Sequence, residues 1–319
     1  MAAKGRLAWL ALAALALVGC HRGAYERMET LRFDQLTTPG TMRTARVGDV
    51  DVRYFEAGVG PVVLLVHGLG EHAGYWNENV PGLLEKDVRV VAVDLPGHGA
   101  SGKPHDAPYT MGWHAAVLRG LLDVVAPDEK VTVVGHSMGG QIALRLALTW
   151  PDRVKHLVLL APAGIERFTP GEGVWLKQVS TTATFLARTE DELRAHYRKN
   201  VFGAWSPAAE HHLEERVRLR RAPDFRQYIY AVVRCIHGMI DGPVADELPS
   251  LAVPATVLFG ADDGLVPNPV LHGGSAADVA AEARRLLPRA RVDVLPGLGH
   301  MLQIEAPARV NAAILEAAR

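Results

Sequence analysis

Residues 131–148, VTVVGHSMGGQIALRLAL, constrain the fold more than any other stretch of this chain. Four β-favouring residues lead into Gly135, and an apolar helical pattern begins directly after Ser137. A strand that turns into a helix this abruptly needs strained backbone at the turn residue, and large side chains on either side of it would collide. Glycines at positions 135 and 139 avoid that collision. The sequence therefore predicts a sharp turn that raises the Ser137 side chain above a buried sheet.

Strand and helix patterns alternate along most of the chain. Strand patterns occur at residues 50–54, 61–66, 88–93, 131–134, 157–160 and 255–259, with a weaker one at 291–295. Helical patterns occur at residues 111–125, 138–148, 276–287 and 307–318. Continuous apolar runs are typical of strands buried on both faces. The alternation predicts an α/β fold in which helices flank a mostly parallel, twisted sheet.

One section interrupts this alternation. Residues 162–248 contain no strong buried-strand pattern but do contain helix-start signals. Thr189 with Glu192 has the spacing of a capping box, and Ser206 followed by Pro207 suits a helix N-terminus. We therefore predict a helical cap at 162–248, inserted between two parts of one core, 46–161 and 249–319.

The N-terminus has the pattern of an export signal. Lys4 and Arg6 precede an apolar run at residues 7–18, which is too short for a membrane span of roughly twenty residues. The ending LVGC resembles the lipobox of bacterial lipoprotein signals, which implies cleavage before Cys20 and lipid attachment to its thiol. An ordinary secretory signal is the alternative. We predict a signal peptide at 1–19, a tether at 20–45, and an exported protein of the bacterial cell envelope that a lipid anchors to the membrane.

The composition of the 319-residue chain excludes several classes of protein. Apolar residues make up 49% and charged residues 22%, as in globular proteins. A formal net charge of −1 gives no basic surplus for binding nucleic acid. Cys20 and Cys235 do not imply a disulfide framework, and Cys235 is interpreted as a buried free thiol. The 14 histidines show no H-E-x-x-H spacing, so neither a metal nor a cofactor is predicted.

A serine nucleophile needs a general base, and the base needs a carboxylate that orients it. His300 follows the last strand pattern, where a loop can carry it over the carboxyl end of the sheet. Asp262 and Asp263 follow the strand pattern that ends at Phe259, and either carboxylate could serve. These residues follow Ser137 along the chain in the order acid, then histidine.

From about Val47 to its end, the chain resembles the α/β-hydrolases with a helical cap. The resemblance rests on the stretches VVLLVHGLGEHAGYW, VVAVDLPGHGASGKP, VVGHSMGG, LFGADDGLVP and LPGLGHMLQIEAP, which follow the order and spacing of that family. The family pattern G-x-x-D-x-x-V-P implies Asp263 rather than Asp262 as the acid, and His300 as the base. Glu166 is the carboxylate available for the rarer placement of the acid.

The same resemblance implies an oxyanion hole built from the backbone N–H groups of Leu69 and Met138. Main-chain donors of this kind stabilise the negative charge that develops on the substrate oxygen. His67, His98 and His136 are interpreted as residues that stabilise turns rather than as catalysts.

A serine at the turn argues against haloalkane dehalogenases and epoxide hydrolases, which resemble this chain but have aspartate there. We predict a carboxylic ester hydrolase that acts through an acyl-enzyme on a small-molecule ester. The stretch HGLGEHAGYW resembles the monoacylglycerol lipase and lysophospholipase group and favours lipid-like esters. Hydrolysis of a C–C, amide or thioester bond by the same triad is an alternative. A non-catalytic binding lipoprotein is another, although no triad member is missing.

Two further groups of residues in the cap region have competing interpretations. Arg216, Arg218, Arg220 and Arg221 are interpreted as a solvated helix face, or one that lies near anionic headgroups. Trp175, Leu176, Val179, Phe185 and Leu186 either line an acyl pocket under the cap or pack a cap helix on the core.

Overall fold

The computed structural model describes residues 23–319, so the predicted signal peptide and Cys20 lie outside the described residues. The strands are β1 (Met42–Val47), β2 (Val50–Gly58), β3 (Val62–Val66), β4 (Arg89–Val93), β5 (Val131–His136), β6 (Val154–Leu160), β7 (Ala255–Gly260) and β8 (Arg291–Leu295). They form one sheet in the order β1-β2-β4-β3-β5-β6-β7-β8. β2 pairs antiparallel with β1 and β4, and the other pairs are parallel. The predicted α/β fold is confirmed.

Helices cover both faces of this sheet. They are α1 (Val80–Leu84), α2 (Met111–Val125), α3 (Met138–Thr149), α4 (Pro170–Val179), α5 (Thr182–Ala187), α6 (Glu190–His196), α7 (Pro207–Arg218), α8 (Phe225–Asp241), α9 (Ala276–Leu286), α10 (Leu302–Glu305) and α11 (Pro307–Ala318). Because successive strand residues face opposite ways, Leu64 and Val66 pack with α2, α3 and α9, whereas Val63 and Leu65 pack with α1 and α11. Within residues 23–319, no helix is long and apolar enough to cross a membrane.

Helices α4 to α8 lie between β6 and β7, within the range predicted for the cap. Their start signals act as the sequence predicts. The Thr189 side chain accepts a hydrogen bond from the Glu192 N–H, and the Glu192 side chain accepts one from the Thr189 N–H. Ser206 accepts a hydrogen bond from the Ala209 N–H at the start of α7. A π-helical turn, Tyr197–Val201, follows α6 and contacts the core, because the Val201 oxygen accepts the His300 N–H.

The segment before the core differs from the predicted tether. Residues 23–41, which we call the strap, pack across the cap, and β1 begins at Met42, ahead of the predicted core boundary at 46. Leu31, Phe33 and Leu36 are buried against α8 and the residues before it. The strap therefore joins the cap to the core, because it continues directly into the edge strand of the sheet.

Arginines of the cap hold the strap in place. Arg218 donates to the carbonyl oxygen of Glu29 at 3.0 Å, and Arg221 donates to that of Glu26 at 2.6 Å. Arg220 forms an ion pair with the Glu26 carboxylate. The interpretation as a solvated helix face is wrong for Arg218 and Arg220, which are partly buried and contact the strap, whereas Arg221 is exposed.

We expect Phe33→Ala to lower the free energy of unfolding by about 3 kcal/mol, because it leaves a cavity between strap and cap. The Phe33 ring centroid lies 5.0 Å from that of Tyr228 and 4.2 Å from the Lys103 ammonium. Urea unfolding monitored by circular dichroism measures the loss. Met28→Ala, at a strap position that is 40% exposed, is the control and should change stability by less than about 0.5 kcal/mol. An unchanged midpoint for Phe33→Ala would contradict this packing.

Candidate active site

Ser137 occupies the turn between β5 and α3 with φ 50° and ψ −117°. Positive φ is strained for a residue with a side chain. The flanking glycines are required by space, since a Cβ at Gly135 would lie 2.4 Å from the Gly139 oxygen. A Cβ at Gly139 would lie 2.4 Å from the Val66 oxygen. The backbone thus has the sharp turn that the sequence predicts.

Asp263 and His300 form a buried pair at the carboxyl ends of β7 and β8. The Nδ1–H of His300 donates to Oδ2 of Asp263 at 2.8 Å, and the two side chains are 3% and 0% exposed. The other oxygen of Asp263 accepts from the N–H groups of Leu265 and Val266 at 2.8 and 3.0 Å. The carboxylate is therefore held from both sides and fixes the orientation of the imidazole.

Burial disfavours the charged form of Asp263. The charge and hydrogen bond of His300, with the two backbone donors, outweigh burial and lower the pKa of Asp263. Burial also disfavours the imidazolium of His300, but the Asp263 carboxylate raises the pKa of His300 above its ordinary value of 6.5. The pair therefore combines an ionised acid with a base whose protonated form is stabilised.

The other two carboxylates considered as the acid are placed differently. Asp262 is exposed. Glu166 accepts hydrogen bonds from the Asn268 N–H and from His272, and so ties the start of the cap to the loop after β7. Of the three candidates, Asp263 is the one that contacts His300.

Ser137 and His300 line the same cavity. Among the hydrogen bonds of residues 23–319, none joins the Ser137 hydroxyl to His300. Catalytic hydrogen bonds are often long without substrate and tighten when it binds. The structure thus brings the serine and the histidine to one cavity wall without a direct hydrogen bond.

The two predicted oxyanion-hole residues follow the neighbouring strands β3 and β5. Leu69 lies in the loop after β3 and lines the cavity, and Met138 is the first residue of α3. No backbone hydrogen bond within the described range uses the N–H of either residue. The Leu69 loop is held from the cap, because the Tyr228 hydroxyl donates to the Gly70 oxygen at 2.7 Å. Both N–H groups are therefore free to bind an anionic oxygen.

Comparison with known proteins identifies the family of this chain. The profile of the alpha/beta hydrolase fold matches residues 61–307. The chain belongs to the α/β-hydrolase fold family. The matched range contains Ser137, Asp263 and His300, together with the cap.

Relatives of this α/β-hydrolase differ in their described activities. An uncharacterized protein of Mycobacterium bovis is 37% identical over 142 residues, which cover 44% of this chain and only 41% of that protein. A 2-hydroxy-6-oxononadienedioate/2-hydroxy-6-oxononatrienedioate hydrolase of Paraburkholderia phymatum is 30% identical, over 84% of this chain and 91% of that protein. A solved thermophilic esterase from Thermogutta terrifontis has a TM-score of 0.68 and 26% identity, over 87% of this chain and 97% of that one.

The cavity of this α/β-hydrolase has a volume of about 990 Å³ and lies between the cap and the carboxyl edge of the sheet. Of the residues considered for an acyl pocket, Leu176 and Phe185 line it. Trp175 and Val179 are 40% and 41% exposed, and Leu186 packs with the strap and α8. The cap helices therefore both line the cavity and pack on their neighbours.

Arg216 also lines this cavity, in contrast to the other arginines of its cluster. Its guanidinium carbon lies 4.7 Å from the centre of the Tyr228 ring. Its Nη1 is buried without a hydrogen-bond partner among residues 23–319. The sequence-based interpretation of Arg216 as part of a solvated helix face is therefore wrong. The available signal was its helical spacing, because Arg216 lies three residues after Leu213 and three before Leu219, both of which are buried.

All three histidines interpreted as turn residues contact the backbone, and His136 does so at the oxygen of His300. His67 accepts a hydrogen bond from the Leu95 N–H at 2.9 Å, and His98 contacts the Pro96 oxygen. Burial lowers the pKa of both imidazoles, so they are neutral near pH 7.

His72, His212 and Glu215 place three potential metal ligands within 4.8 Å of one another. Nδ1 of His72 accepts the N–H of Gly74 at 3.1 Å, so the ring proton lies on Nε2. That nitrogen donates to Glu215 at 3.2 Å and has no lone pair for a metal. Glu215 also accepts the Thr37 N–H at 2.9 Å. These residues thus form a hydrogen-bonded link between core, cap and strap.

Proposed function

We propose that this protein is a serine hydrolase that cleaves carboxylic esters through an acyl-enzyme intermediate. The observation that carries the proposal is the position of Ser137, on strained backbone in the wall of the cavity that His300 also lines. The 2.8 Å contact between His300 and Asp263 gives the base its orienting carboxylate. The likeness to a solved esterase supports the same reaction type.

In the proposed mechanism, Nε2 of His300 takes the hydroxyl proton as Ser137 attacks the ester carbonyl carbon. The N–H groups of Leu69 and Met138 bind the oxygen that becomes negative. The C–O bond of the ester breaks, and the alcohol leaves with the proton held by His300. Water then attacks the acyl-enzyme and gives a proton to His300. That proton returns to Ser137 as the carboxylic acid leaves.

We further propose lipid-like esters, such as monoacylglycerols, as the favoured substrates. The cavity of about 990 Å³ has room for an acyl chain, and Leu69, Leu176 and Phe185 are among its apolar lining residues. An acyl chain gains roughly 0.8 kcal/mol for each CH₂ group that it buries, so affinity should rise with chain length until the cavity is filled.

Hydrolysis of p-nitrophenyl esters and monoacylglycerols of increasing acyl length by the purified protein tests both statements. We expect kcat/KM to rise with chain length and then level off. Folded protein that hydrolyses none of these esters would overturn the esterase proposal. Amide, thioester and C–C substrates would then be assayed, and failure of all of them would leave a non-catalytic binding protein.

Arg216 favours a second candidate, the hydrolysis of C–C bonds in substrates that carry a carboxylate. Its guanidinium lines the cavity and has a buried nitrogen without a hydrogen-bond partner among the described residues. A carboxylate would satisfy that donor with a charge-assisted hydrogen bond. The Paraburkholderia phymatum relative is named as a hydrolase of dioates, molecules that carry two carboxylates.

We expect Arg216→Gln to raise KM about 10- to 100-fold for substrates with a carboxylate, because a hydrogen bond to a charged group is worth about 1.5–3 kcal/mol. Neutral esters should be affected much less. The difference is measured with three substrates: a neutral ester, an analogue of that ester with a carboxylate, and a C–C substrate with a carboxylate. Arg218→Gln is the control, because Arg218 contacts Glu214 and the strap instead. Equal losses on neutral and anionic substrates would contradict an anion-binding function.

We also propose that the protein is exported and anchored to a membrane through a lipid on Cys20. The support is the sequence of residues 1–20, with its basic start, short apolar run and lipobox-like ending. Mass spectrometry of the N-terminal peptide and fractionation of cells that express Cys20→Ser test the proposal. We expect a diacylglyceryl-modified Cys20 in the membrane fraction and loss of membrane association in the variant. An unmodified Cys20 in a mature membrane protein would overturn it.

A further inference from the structure

Glu71 is a buried carboxylate whose position the proposed mechanism does not explain. It follows the Leu69 loop and is 4% exposed. One oxygen accepts the N–H of Gly68 at 2.9 Å, and the other lies 2.9 Å from Nδ1 of His136. Glu71 therefore connects the loop that supplies one oxyanion donor to the residue that precedes Ser137.

His136 continues this connection to the base. It is fully buried at the end of β5, and its Nε2 lies 3.0 Å from the backbone oxygen of His300. A backbone oxygen and an ionised carboxylate can only accept hydrogen bonds. Both ring nitrogens of His136 therefore carry a proton, and the ring is an imidazolium paired with Glu71.

The energetics of Glu71 agree with an ion pair. Burial disfavours its charged form, but the charge and hydrogen bond of His136 outweigh burial and lower the pKa of Glu71. A buried ion pair is a weak source of net stability, because the loss of hydration offsets most of the attraction. The contribution of the Glu71–His136 pair is therefore the relative position of the segments that it connects.

We propose that Glu71 and His136 are positioning residues. They fix the relative positions of the loop that carries Leu69, the turn at Ser137 and the loop that carries His300. This inference rests on the proposed function, since it assigns Leu69, Ser137 and His300 their catalytic parts. The bonds run from Gly68 through Glu71 and His136 to the backbone of His300. A misplacement of about 1 Å among reacting groups can cost 10²-fold in rate, so loss of this connection should lower kcat.

Two substitutions of Glu71 separate positioning from mere filling of space. Glu71→Leu keeps the volume but breaks both bonds. Glu71→Gln can keep every bond, because its amide oxygen accepts the Gly68 N–H and its amide N–H donates to a neutral His136. Nε2–H of that neutral ring still donates to the His300 oxygen.

We expect Glu71→Leu to lower kcat per active site about 10- to 100-fold with little change in KM, and Glu71→Gln to recover most of the loss. Active sites are counted by titration with a fluorophosphonate. Glu215→Leu is the control, because Glu215 also links buried histidines but touches neither Ser137 nor His300. It should lower stability and leave kcat per active site near wild type. Unchanged kcat in Glu71→Leu, or equal losses in both Glu71 variants, would overturn the proposal.

The charge state is tested without any substrate. In ¹⁵N-histidine-labelled protein, both ring nitrogens of His136 should show the chemical shifts of nitrogens that donate hydrogen bonds. In Glu71→Gln, one of them should change to the shift of an unprotonated nitrogen. A singly protonated His136 in the wild type would overturn the ion pair even if ester hydrolysis is observed. Conversely, if the ion pair is present but the protein hydrolyses no ester, the proposed ester hydrolysis is wrong and the ion pair is not.

Discussion

Replacing Ser137 with alanine is expected to lower kcat for ester hydrolysis by about 10⁵- to 10⁶-fold, as loss of the nucleophile does in serine hydrolases. The reason is that alanine has no oxygen to form the acyl-enzyme, so the covalent route is lost. The fold should persist, because the glycines and backbone bonds that form the turn are unchanged. Ser137 N–H still donates to the Leu160 oxygen and Ala163 N–H to the Ser137 oxygen.

Pre-steady-state kinetics with a p-nitrophenyl ester measure this loss directly. Wild-type protein should release a burst of p-nitrophenol equal to its active sites, and Ser137→Ala should release none. The control is Ser180→Ala, because Ser180 also lines the cavity but lies on the cap. It should keep the burst. More than about 1% of wild-type kcat in Ser137→Ala would contradict the assignment of the nucleophile.

The buried strands were predictable because parallel strands covered on both faces are continuously apolar. β3, with the sequence VVLLV, is buried at every position, and its predicted last residue, Val66, is correct. β1 was not predicted, since only Ala45 of its six residues is buried and its sequence, MRTARV, shows no apolar alternation. Pairing with β2, which begins three residues after β1 ends, decides its conformation, whereas β1 has no apolar pattern of its own.

The strap was missed for a related reason. Leu31, Phe33 and Leu36 have neither helical nor strand spacing, and their burial depends on α8, almost two hundred residues away in sequence. The contacts of Arg218 and Arg220 were not predicted, because the strap residues that they bind are equally distant in sequence. Contacts between remote, irregular segments leave no periodic signal in either one.

The same distinction between local patterns and remote contacts separates the site residues that were predicted from those that were not. Ser137, Asp263 and His300 lie at the carboxyl ends of predicted strands, and family motifs mark each of them. Glu71 belongs to the motif HGLGEHAGYW, but the sequence alone predicts no function for it. The available signal was a lone carboxylate in a short loop between two apolar segments, where a buried charge requires a partner. Which histidine pairs with it depends on the approach of β5 to the loop after β3, and the chain sequence does not encode that distance locally.

Asp263→Asn is expected to lower kcat about 10³- to 10⁴-fold, a loss typical of replacing the orienting aspartate of a triad. In the wild type, the carboxylate accepts Nδ1–H and leaves Nε2 of His300 free to take the serine proton. An amide can instead donate to Nδ1, which moves the ring proton to Nε2. The imidazole then faces Ser137 as a donor and cannot act as its base.

The pH profile of Asp263→Asn gives the second expected result. His300 must be neutral to accept a proton, so kcat/KM of the wild type should fall as pH drops below the pKa of His300. Because Asp263 raises that pKa above 6.5, the fall should begin above pH 6.5. Removing the carboxylate charge lowers the pKa, and the acid limb of the residual activity should move to lower pH. Asp262→Asn is the matched control, because that neighbouring carboxylate is exposed, and it should leave both rate and profile near wild type. A larger loss in Asp262→Asn than in Asp263→Asn would reverse the assignment of the acid.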